Sequence, residues 1–378
     1  MRLLFLVNGT PESAAGHRTR AFARRLPGDW KIETAYRPAA RKWRAVPAFV
    51  RAARAFRPDV VYVVDTAYAG VLAGVAVRRL LGGCRLVTDT GDAARDLAAS
   101  SGAYSARAVA LIGWVERLAL TRSDRVVVRG SYHKTLLEEE RKTIAPGRAV
   151  FIPDGVDLEA FRPMPDRAAC LRASASPPLA PEHFVLGMVG TMAWSRTHQM
   201  GYGWDVVEAL GLLRDDAPRA RSLLVGDGGG RAILEARART LGVSERIVFA
   251  GTRPMDALAG YISAMDVCVS TQSNDIVGNV RTTGKLPLYL ACGRYVIATD
   301  AGEARRVLPG VGALLPYHGV RDPNHPARLA AHVRELIANP PAACHGERAR
   351  QMAEENFSYA RLARRVRALC EELAAATP

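Results

Sequence analysis

A short stretch near the middle of the chain, VFIPDGVD at residues 150–157, constrains the fold most strongly. It reads as a three-residue apolar strand that ends in a sharp turn, because Pro153 fixes φ and lacks a donor while Gly155 admits positive φ. One run of alternating apolar strands and helices precedes this stretch, and a second run follows it. We therefore predict two α/β domains, with this stretch leading from the last strand of the first domain into the second.

Composition places the chain among globular proteins. Its 378 residues suffice for two domains, with 49% hydrophobic and 24% charged residues. The first apolar segment, MRLLFLVNG, is too short for a signal sequence and fits a buried strand, and no window is apolar enough to span a bilayer. Six scattered cysteines without a C-x-x-C pair predict reduced thiols and neither a disulfide frame nor a metal site. We therefore expect a cytoplasmic protein.

The net charge of +15 is concentrated in the first half of the chain. Residues 1–165 hold 27 Lys/Arg against 16 Asp/Glu, a net +11. Residues 37–57 hold seven basic residues and no acid, with Trp43, Phe49 and Phe56 among them. A basic helix with aromatic anchors suits the anionic inner face of a membrane or a polyanionic acceptor, and a solvated arginine-rich face explains the charge equally well. Nucleic acid fits less well, because no binding motif accompanies the charge.

Polar residues of the first half stand where predicted strands end. Gly16 precedes an arginine-rich helix predicted over about 17–25, and the backbone N–H groups at a helix start favour an anion. Asp89 and Asp92 follow a predicted buried strand. Carboxylates at the carboxyl ends of parallel strands point to the place where open sheets bind ligands. Asp92 fits a helix cap equally well.

The second half carries glycine turns after its strands and a helix start with a lysine. The segment TTGKLPLYLACG at 282–293 begins a helix whose backbone N–H groups, with a lysine beside them, make a phosphate site by electrostatics. The residues expected at this site are Thr283, Gly284 and Lys285, while Gly190, Thr191 and Gly226 lie in the turns after two other predicted strands.

These segments, taken in order, resemble the GT-B glycosyltransferases of family 4. Residues 150–163 are similar to the family linker I-P-N-G-V-D-x-x-x-F-x-P, with Asp154 in place of Asn. Residues 223–267 are similar to L-V-G-D-G-x-x-x-x-L…V-x-F-x-G…Y-x-x-A-D-V, and residues 285–298 to K-L-x-E-Y-x-A-x-G-x-x-V-I-A. The resemblance covers nearly the whole chain.

The resemblance implies two Rossmann-like domains whose parallel sheets face each other across a cleft. The domains would be an acceptor-binding domain at 1–163, a donor-binding domain at 164–355 and a C-terminal helix at 356–378 that crosses back to the first domain. The implied reaction moves a sugar from a nucleoside-diphosphate sugar to a carbohydrate, lipid-linked or small-molecule acceptor, with retention and with neither a metal nor another cofactor.

The resemblance also implies roles for single residues. Lys285, the amides of Thr283 and Gly284, and Arg196 would stabilise the leaving diphosphate. Arg253 would lie beside the nucleobase and Gly16 would close on the phosphates. Gly190, Thr191 and Gly226 would line the donor site. Asp89 or Asp92 would orient hydroxyl groups of the acceptor or the donor.

Several positions depart from the family pattern. Leu288 stands where the family has the Glu that holds the ribose, Val280 stands at the usual first Glu, and Thr191 replaces an Arg. Losing one such buried hydrogen bond costs about 1–3 kcal/mol, or about ten- to a hundredfold in affinity. Asp275 and Arg281 are the candidates to compensate. Two alternatives stay open: a non-catalytic GT-B protein that partners another transferase, and a nucleotide-sugar epimerase or hydrolase.

Overall fold

The computed structural model describes residues 1–38, 44–175, 179–341 and 345–376, which form two compact units. The first unit comprises Met1–Gly155, Asn279–Thr282 and the chain from Ser358 on, and the second comprises Val156–Gly278 and Thr283–Phe357. The N-terminal segment of the first unit therefore ends at Gly155, whereas the predicted boundary follows residue 163. The final helix belongs to the first unit.

The first unit contains a six-stranded sheet in the order β2-β1-β3-β4-β5-β6, with all neighbours parallel. Its strands are β1 (Arg2–Val7), β2 (Lys31–Tyr36), β3 (Val60–Val64), β4 (Arg85–Thr90), β5 (Arg125–Val128) and β6 (Ala149–Phe151). The central strand β3 reads VVYVV and is buried along its whole length. Such a continuous apolar run is typical of a parallel strand with helices on both faces.

Helices cover both faces of this sheet. They are α1 (Ala14–Ala23), α2 (Ala45–Phe56), α3 (Tyr68–Leu81), α4 (Ala94–Ser101), α5 (Ala106–Arg122), α6 (Ser131–Thr135), a π-helix (Leu136–Glu140) and the last helix of the chain, α16 (Tyr359–Ala375). The apolar face of α16 packs into the same core as β1 and β3, and the rings of Tyr359 and Phe22 meet edge to face at 5.7 Å.

The basic segment differs from the prediction. Phe49 is 1% exposed in the core beneath α2, so it is not a surface anchor. Phe56 is partly buried against the same core, and the guanidinium of Arg2 stacks 4.8 Å from its ring centroid. Trp43 lies outside the described residues. Among the helices that the structure describes, none is long and apolar enough to cross a membrane.

The second unit repeats the architecture with a sheet in the order β11-β10-β7-β12-β13-β14, again with parallel neighbours. Its strands are β7 (Phe184–Val189), β10 (Ala220–Val225), β11 (Ile247–Gly251), β12 (Val267–Ser270), β13 (Tyr295–Thr299) and β14 (Gly312–Leu315), and a separate hairpin pairs β8 (Trp194–Ser195) with β9 (Met200–Gly201). The predicted α/β fold with two parallel sheets is confirmed.

Besides a 3-10 helix at Ser244–Arg246, nine α-helices are described in the second unit. They are α7 (Arg167–Ser174), α8 (Trp204–Leu212), α9 (Arg231–Thr240), α10 (Leu258–Ala264), α11 (Ile276–Asn279, whose last residue belongs to the first unit), α12 (Lys285–Ala291), α13 (Ala304–Val307), α14 (His325–Ala338) and α15 (His345–Phe357). The buried hydroxyl of Tyr289 accepts the backbone N–H of Val189 at 2.7 Å, which ties α12 to the end of β7.

Candidate functional site

Two glycine loops lie side by side at the carboxyl edge of the second sheet. Gly190 follows β7 with φ +139°, and Gly226 follows β10 with φ +137°. A Cβ on Gly226 would lie 1.9 Å from the carbonyl oxygen of Gly190, so the close approach requires glycine. The hydroxyl of Thr191 donates to the carbonyl oxygen of Asp227 at 3.3 Å and links the two loops. The structure thus brings Gly190, Thr191 and Gly226 together.

Lys285 lies at the start of α12, beyond the neighbouring strand β12. Gly284 occupies the N-cap position, and the Nζ atom of Lys285 lies 4.1 Å from the ring centroid of Tyr202. This distance is typical of a cation–π interaction. Thr283 is buried with its hydroxyl oxygen 3.3 Å from that of Ser270, the last residue of β12. Tyr202 was missed from sequence, because nothing in the chain between the β8–β9 hairpin and α8 predicts a ring beside the lysine.

The two other predicted cations of the second unit are solvent-exposed. Arg196 follows β8 in the turn of the hairpin, where its backbone carbonyl accepts the side-chain amide of Gln199 at 2.7 Å. Arg253 follows β11, and its guanidinium carbon lies 5.4 Å from the ring centroid of Tyr261. Both side chains present positive charge to solvent, and their contacts with a donor remain predictions.

The positions that depart from the family pattern have separate environments. Leu288 is partly buried against the core of the second unit. A carboxylate oxygen of Asp275 accepts the hydroxyl of Ser273 at 2.7 Å and a backbone N–H at 2.9 Å, which closes the local turn. Arg281 belongs to the first unit and forms an ion pair with Asp92. Arg281 is therefore engaged within the first unit, and its role as a substitute for the missing Glu stays a prediction.

Asp89 lies at the centre of a buried ion network in the first unit. Arg18 and Arg129 each donate an Nε–H to its carboxylate at 2.8 Å, and Tyr62 donates its hydroxyl at 3.0 Å. Burial alone would raise the pKa of Asp89, but the charges of Arg129 and Arg18 outweigh it and hold the pKa below its ordinary value. Because β4 continues to Thr90 and Asp89 is fully buried, its predicted ligand-facing role is wrong.

Arg18 also binds the stretch that ends the first unit. Its two terminal nitrogens donate to the carbonyls of Ile152 and Pro153 at 2.8 and 2.7 Å, and one of them lies 3.5 Å from Asp154. Burial raises the pKa of Asp154 despite the neighbouring cations. Arg18 was missed as an interior residue, although its position four residues before Phe22 places it on the apolar face of α1.

Gly16 lies within the first turn of α1, three residues after the N-cap Ser13. The backbone N–H of Gly16 donates to the Ser13 hydroxyl at 3.1 Å. A Cβ here would lie 2.4 Å from the carbonyl oxygens of Thr10 and Pro11, so the preceding loop requires glycine. The N–H is already bonded and buried in a helix that begins earlier than predicted. That N–H is therefore not free to donate to a phosphate, and the closing of Gly16 on the phosphates stays a prediction.

Asp92 is the predicted carboxylate that reaches the surface. Its side chain is 45% exposed and pairs with Arg281. It does not cap the next helix: the backbone N–H groups of Ala94 and Arg95 donate instead to Glu116, at 2.5 and 3.3 Å. Asp92 thus remains the carboxylate of this segment that is placed to meet a ligand of the first unit.

Asp205, a buried acid of the second unit, was also missed. It lies in the first turn of α8 and is 5% exposed. Burial raises its pKa to about 7, although a hydrogen bond with Thr271 acts in the opposite sense. In sequence it resembles an ordinary acidic residue at a helix start, and only the fold shows that it is buried.

Comparisons with known proteins agree with this architecture. Residues 12–160 match the family described as Glycosyltransferase Family 4, and residues 183–339 match Glycosyl transferases group 1. The 2-deoxystreptamine N-acetyl-D-glucosaminyltransferase of Streptomyces fradiae is 29% identical over 276 residues, which cover 70% of this chain and 59% of that protein. The 2-deoxystreptamine glucosyltransferase of Streptomyces kanamyceticus is 28% identical over 231 residues, which cover 61% and 55%. The chain thus spans little more than half the length of these relatives.

Solved structures share the fold over the full chain. Sucrose-phosphate synthase from Thermosynechococcus elongatus has a TM-score of 0.76 at 19% identity and covers 100% of both chains. Anabaena HepE in complex with UDP has a TM-score of 0.74 at 17% identity and covers 98% of this chain and 100% of its own. The two Rossmann-like units therefore define a GT-B fold. The chain belongs to the family 4 type of glycosyltransferases.

Proposed function

We propose that the protein transfers a sugar from a nucleoside-diphosphate sugar to an acceptor, with retention of configuration and without a metal ion or another cofactor. The observation that carries the proposal is Lys285, held over Tyr202 at the start of α12, on the sheet edge that also holds the loops after β7 and β10. A fixed ammonium, a helix start and strand-end glycines are groups that neutralise a leaving diphosphate. Retention and metal independence are supported by the family resemblance.

The second unit would hold the donor. Lys285, the amides of Thr283 and Gly284, and Arg196 would stabilise the charge that develops on the leaving diphosphate. Arg253, exposed after β11, would lie beside the nucleobase. The loop after β7 would allow a ligand to approach the backbone closely, because no neighbouring atom lies within 4 Å of the place where a Cβ on Gly190 would be.

The first unit would hold the acceptor. Asp92 is half-exposed and follows the carboxyl end of β4, where open parallel sheets bind ligands. The positive charge of the first half of the chain supports an encounter with an anionic membrane surface. The names of the two Streptomyces relatives support glycosyl transfer as the reaction class.

A non-catalytic GT-B protein is the second candidate. It is favoured by Leu288, which packs against the core and can accept no hydrogen bond from a ribose, and by Val280, which is fully buried. An epimerase or a hydrolase would be marked by altered or free sugar released without an acceptor.

Thermal unfolding of the full chain against nucleoside diphosphates and nucleotide sugars tests the proposal. A ligand at a hundred times its dissociation constant adds about 2.7 kcal/mol of stability, or several degrees in Tm. We expect a selective shift with one nucleobase, followed by turnover of the matching nucleotide sugar when an acceptor is present. An unchanged Tm with every ligand of the panel would favour the non-catalytic protein.

A further inference from the structure

An open apolar cavity of about 780 Å³ lies in the first unit, lined by the start of α3, by α4 along its length and by α5. Of the nine large hydrophobic side chains that are exposed in the described residues, five line this cavity. Their exposed fractions are Tyr68 38%, Leu97 37%, Tyr104 55%, Leu111 61% and Trp114 54%. Apolar side chains gathered at this density on a surface mark a binding site.

One end of the cavity is polar. There the wall is formed by Asp65, Thr66, Thr90 and Asp92 at the carboxyl ends of β3 and β4, and the two threonine hydroxyls lie 3.3 Å apart. Because Asp92 belongs to this wall, the cavity is continuous with the proposed acceptor position.

Both carboxylates at this end already have cationic partners. Arg129 donates to Asp65 at 2.6 Å, and Arg281 pairs with Asp92. A cationic acceptor would therefore gain little from these acids. A neutral hydroxyl group, in contrast, finds acceptors in the carboxylate oxygens and partners in the threonine hydroxyls.

We infer that this cavity takes the apolar body of a neutral, hydroxyl-bearing acceptor, with the reacting hydroxyl at the Asp92 end. The volume lies within the range of sites for drug-sized ligands. The inference rests on the proposed function and names its acceptor class, which differs from the 2-deoxystreptamine in the names of the Streptomyces relatives. A small polar acceptor would leave the apolar wall solvated.

Alkyl glucosides with chains of six to nine carbons, kept below their micelle concentrations, are the probes for this site. Their binding to the full chain is measured by titration calorimetry. Each methylene buried in the cavity should strengthen binding about fourfold. Leu111→Gln should weaken binding of octyl glucoside roughly tenfold. Leu80→Gln is the matched control, because Leu80 is also an exposed helical leucine (53%) of the first unit but does not line the cavity, and it should change the affinity less than twofold.

Affinity that does not depend on chain length, or an equal loss in Leu111→Gln and Leu80→Gln, would overturn the inference. A third result would overturn the inference in favour of a membrane-docking surface. In that case the wild-type chain binds phosphatidylcholine–phosphatidylglycerol vesicles, Leu111→Gln does not, and monomeric glucosides show no saturable binding. The nucleotide-induced shift in Tm is measured on the same variants. If that shift persists while glucosides fail, only the acceptor class is refuted; if it is absent while glucosides bind as expected, the proposed function fails.

Discussion

Replacing Asp89 with asparagine removes a negative charge from the interior of the first unit while keeping the size of the side chain. Arg18 and Arg129, 1% and 8% exposed, would then face a neutral amide. Removing one partner of a buried ion pair costs about 3–5 kcal/mol. Arg129 keeps Asp65 at 2.6 Å, and Arg18 keeps two backbone carbonyls, so we expect the lower end, a loss of about 3 kcal/mol in the free energy of unfolding.

Urea unfolding measures this loss against a matched surface pair. In the control variant, Asp96→Asn, the carboxylate that is lost binds Arg141 at 2.8 and 2.9 Å, but the two side chains are 19% and 35% exposed. Exposed pairs contribute at most about 1 kcal/mol. With a slope of about 2.5 kcal/mol/M, Asp89→Asn should lower the midpoint by roughly 1 M and the control by less than about 0.4 M. Equal midpoints for the two variants would refute the reasoning.

The dependence of stability on pH checks the same network independently. The pKa of Asp89 lies below its ordinary value because the two guanidinium groups outweigh the effect of burial. Its contribution is therefore fully present above the unfolded pKa of about 4 and is lost as pH falls through the folded pKa. The free energy of unfolding of wild type should therefore lose this contribution in acid, whereas that of Asp89→Asn should show no such loss.

Three further outcomes follow from the second unit. Lys285→Ala should lower turnover about a hundredfold, because it removes the ammonium proposed to meet the leaving diphosphate. Leu288→Glu should tighten binding of the nucleoside diphosphate about tenfold, measured by calorimetry, if this turn of α12 faces the ribose. The free energy of unfolding of Asp205→Asn, relative to that of wild type, should rise by up to roughly 4 kcal/mol between pH 4 and pH 7. The reason is that the folded protein holds a proton on Asp205 up to about pH 7, while the unfolded chain loses it near pH 4.

A specific result would contradict each of these three predictions. Turnover in Lys285→Ala equal to that of a Lys31→Ala control, an exposed lysine of β2, would remove Lys285 from the mechanism. Unchanged nucleotide affinity in Leu288→Glu would show that position 288 does not contact the ribose. Parallel stability curves for Asp205→Asn and wild type across pH 4–7 would show that Asp205 titrates normally.

The fold was predictable because its signals are local and repeated. Buried parallel strands are continuous apolar runs, and the turns after them carry glycine, as in β10 and Gly226, so two parallel α/β units were predicted. The predicted start of a helix was wrong where a capping side chain sets it. Ser13 caps α1, which therefore begins earlier than the arginine-rich pattern indicated. The segment after α6 forms a π-helical turn from Leu136, which leaves no simple trace in the periodicity of the sequence.

The candidate site was predictable only in part, because burial and distant partners decide what a polar residue does. Lys285 and the glycine loops could be predicted because the residues next to them in sequence indicate the strand ends and the helix start where they lie. The interior ion network does not, since Arg18 and Asp89 are 71 positions apart in the chain. Arg281 was placed with the donor residues that follow it in sequence, yet Asn279–Thr282 belongs to the first unit.

Asp89 and Asp92 lie close together in the chain, yet Asp89 is buried and the side chain of Asp92 is 45% exposed. Side chains alternate between the two faces of a strand, and a strand that ended at residue 88 would have freed both carboxylates. Because β4 continues to Thr90, Asp89 is fixed between two arginines and only Asp92 reaches solvent. Asp92 is itself paired, so an acceptor hydroxyl would have to displace or share Arg281. Binding of an acceptor to the first unit should therefore depend on Arg281 as strongly as on Asp92 itself.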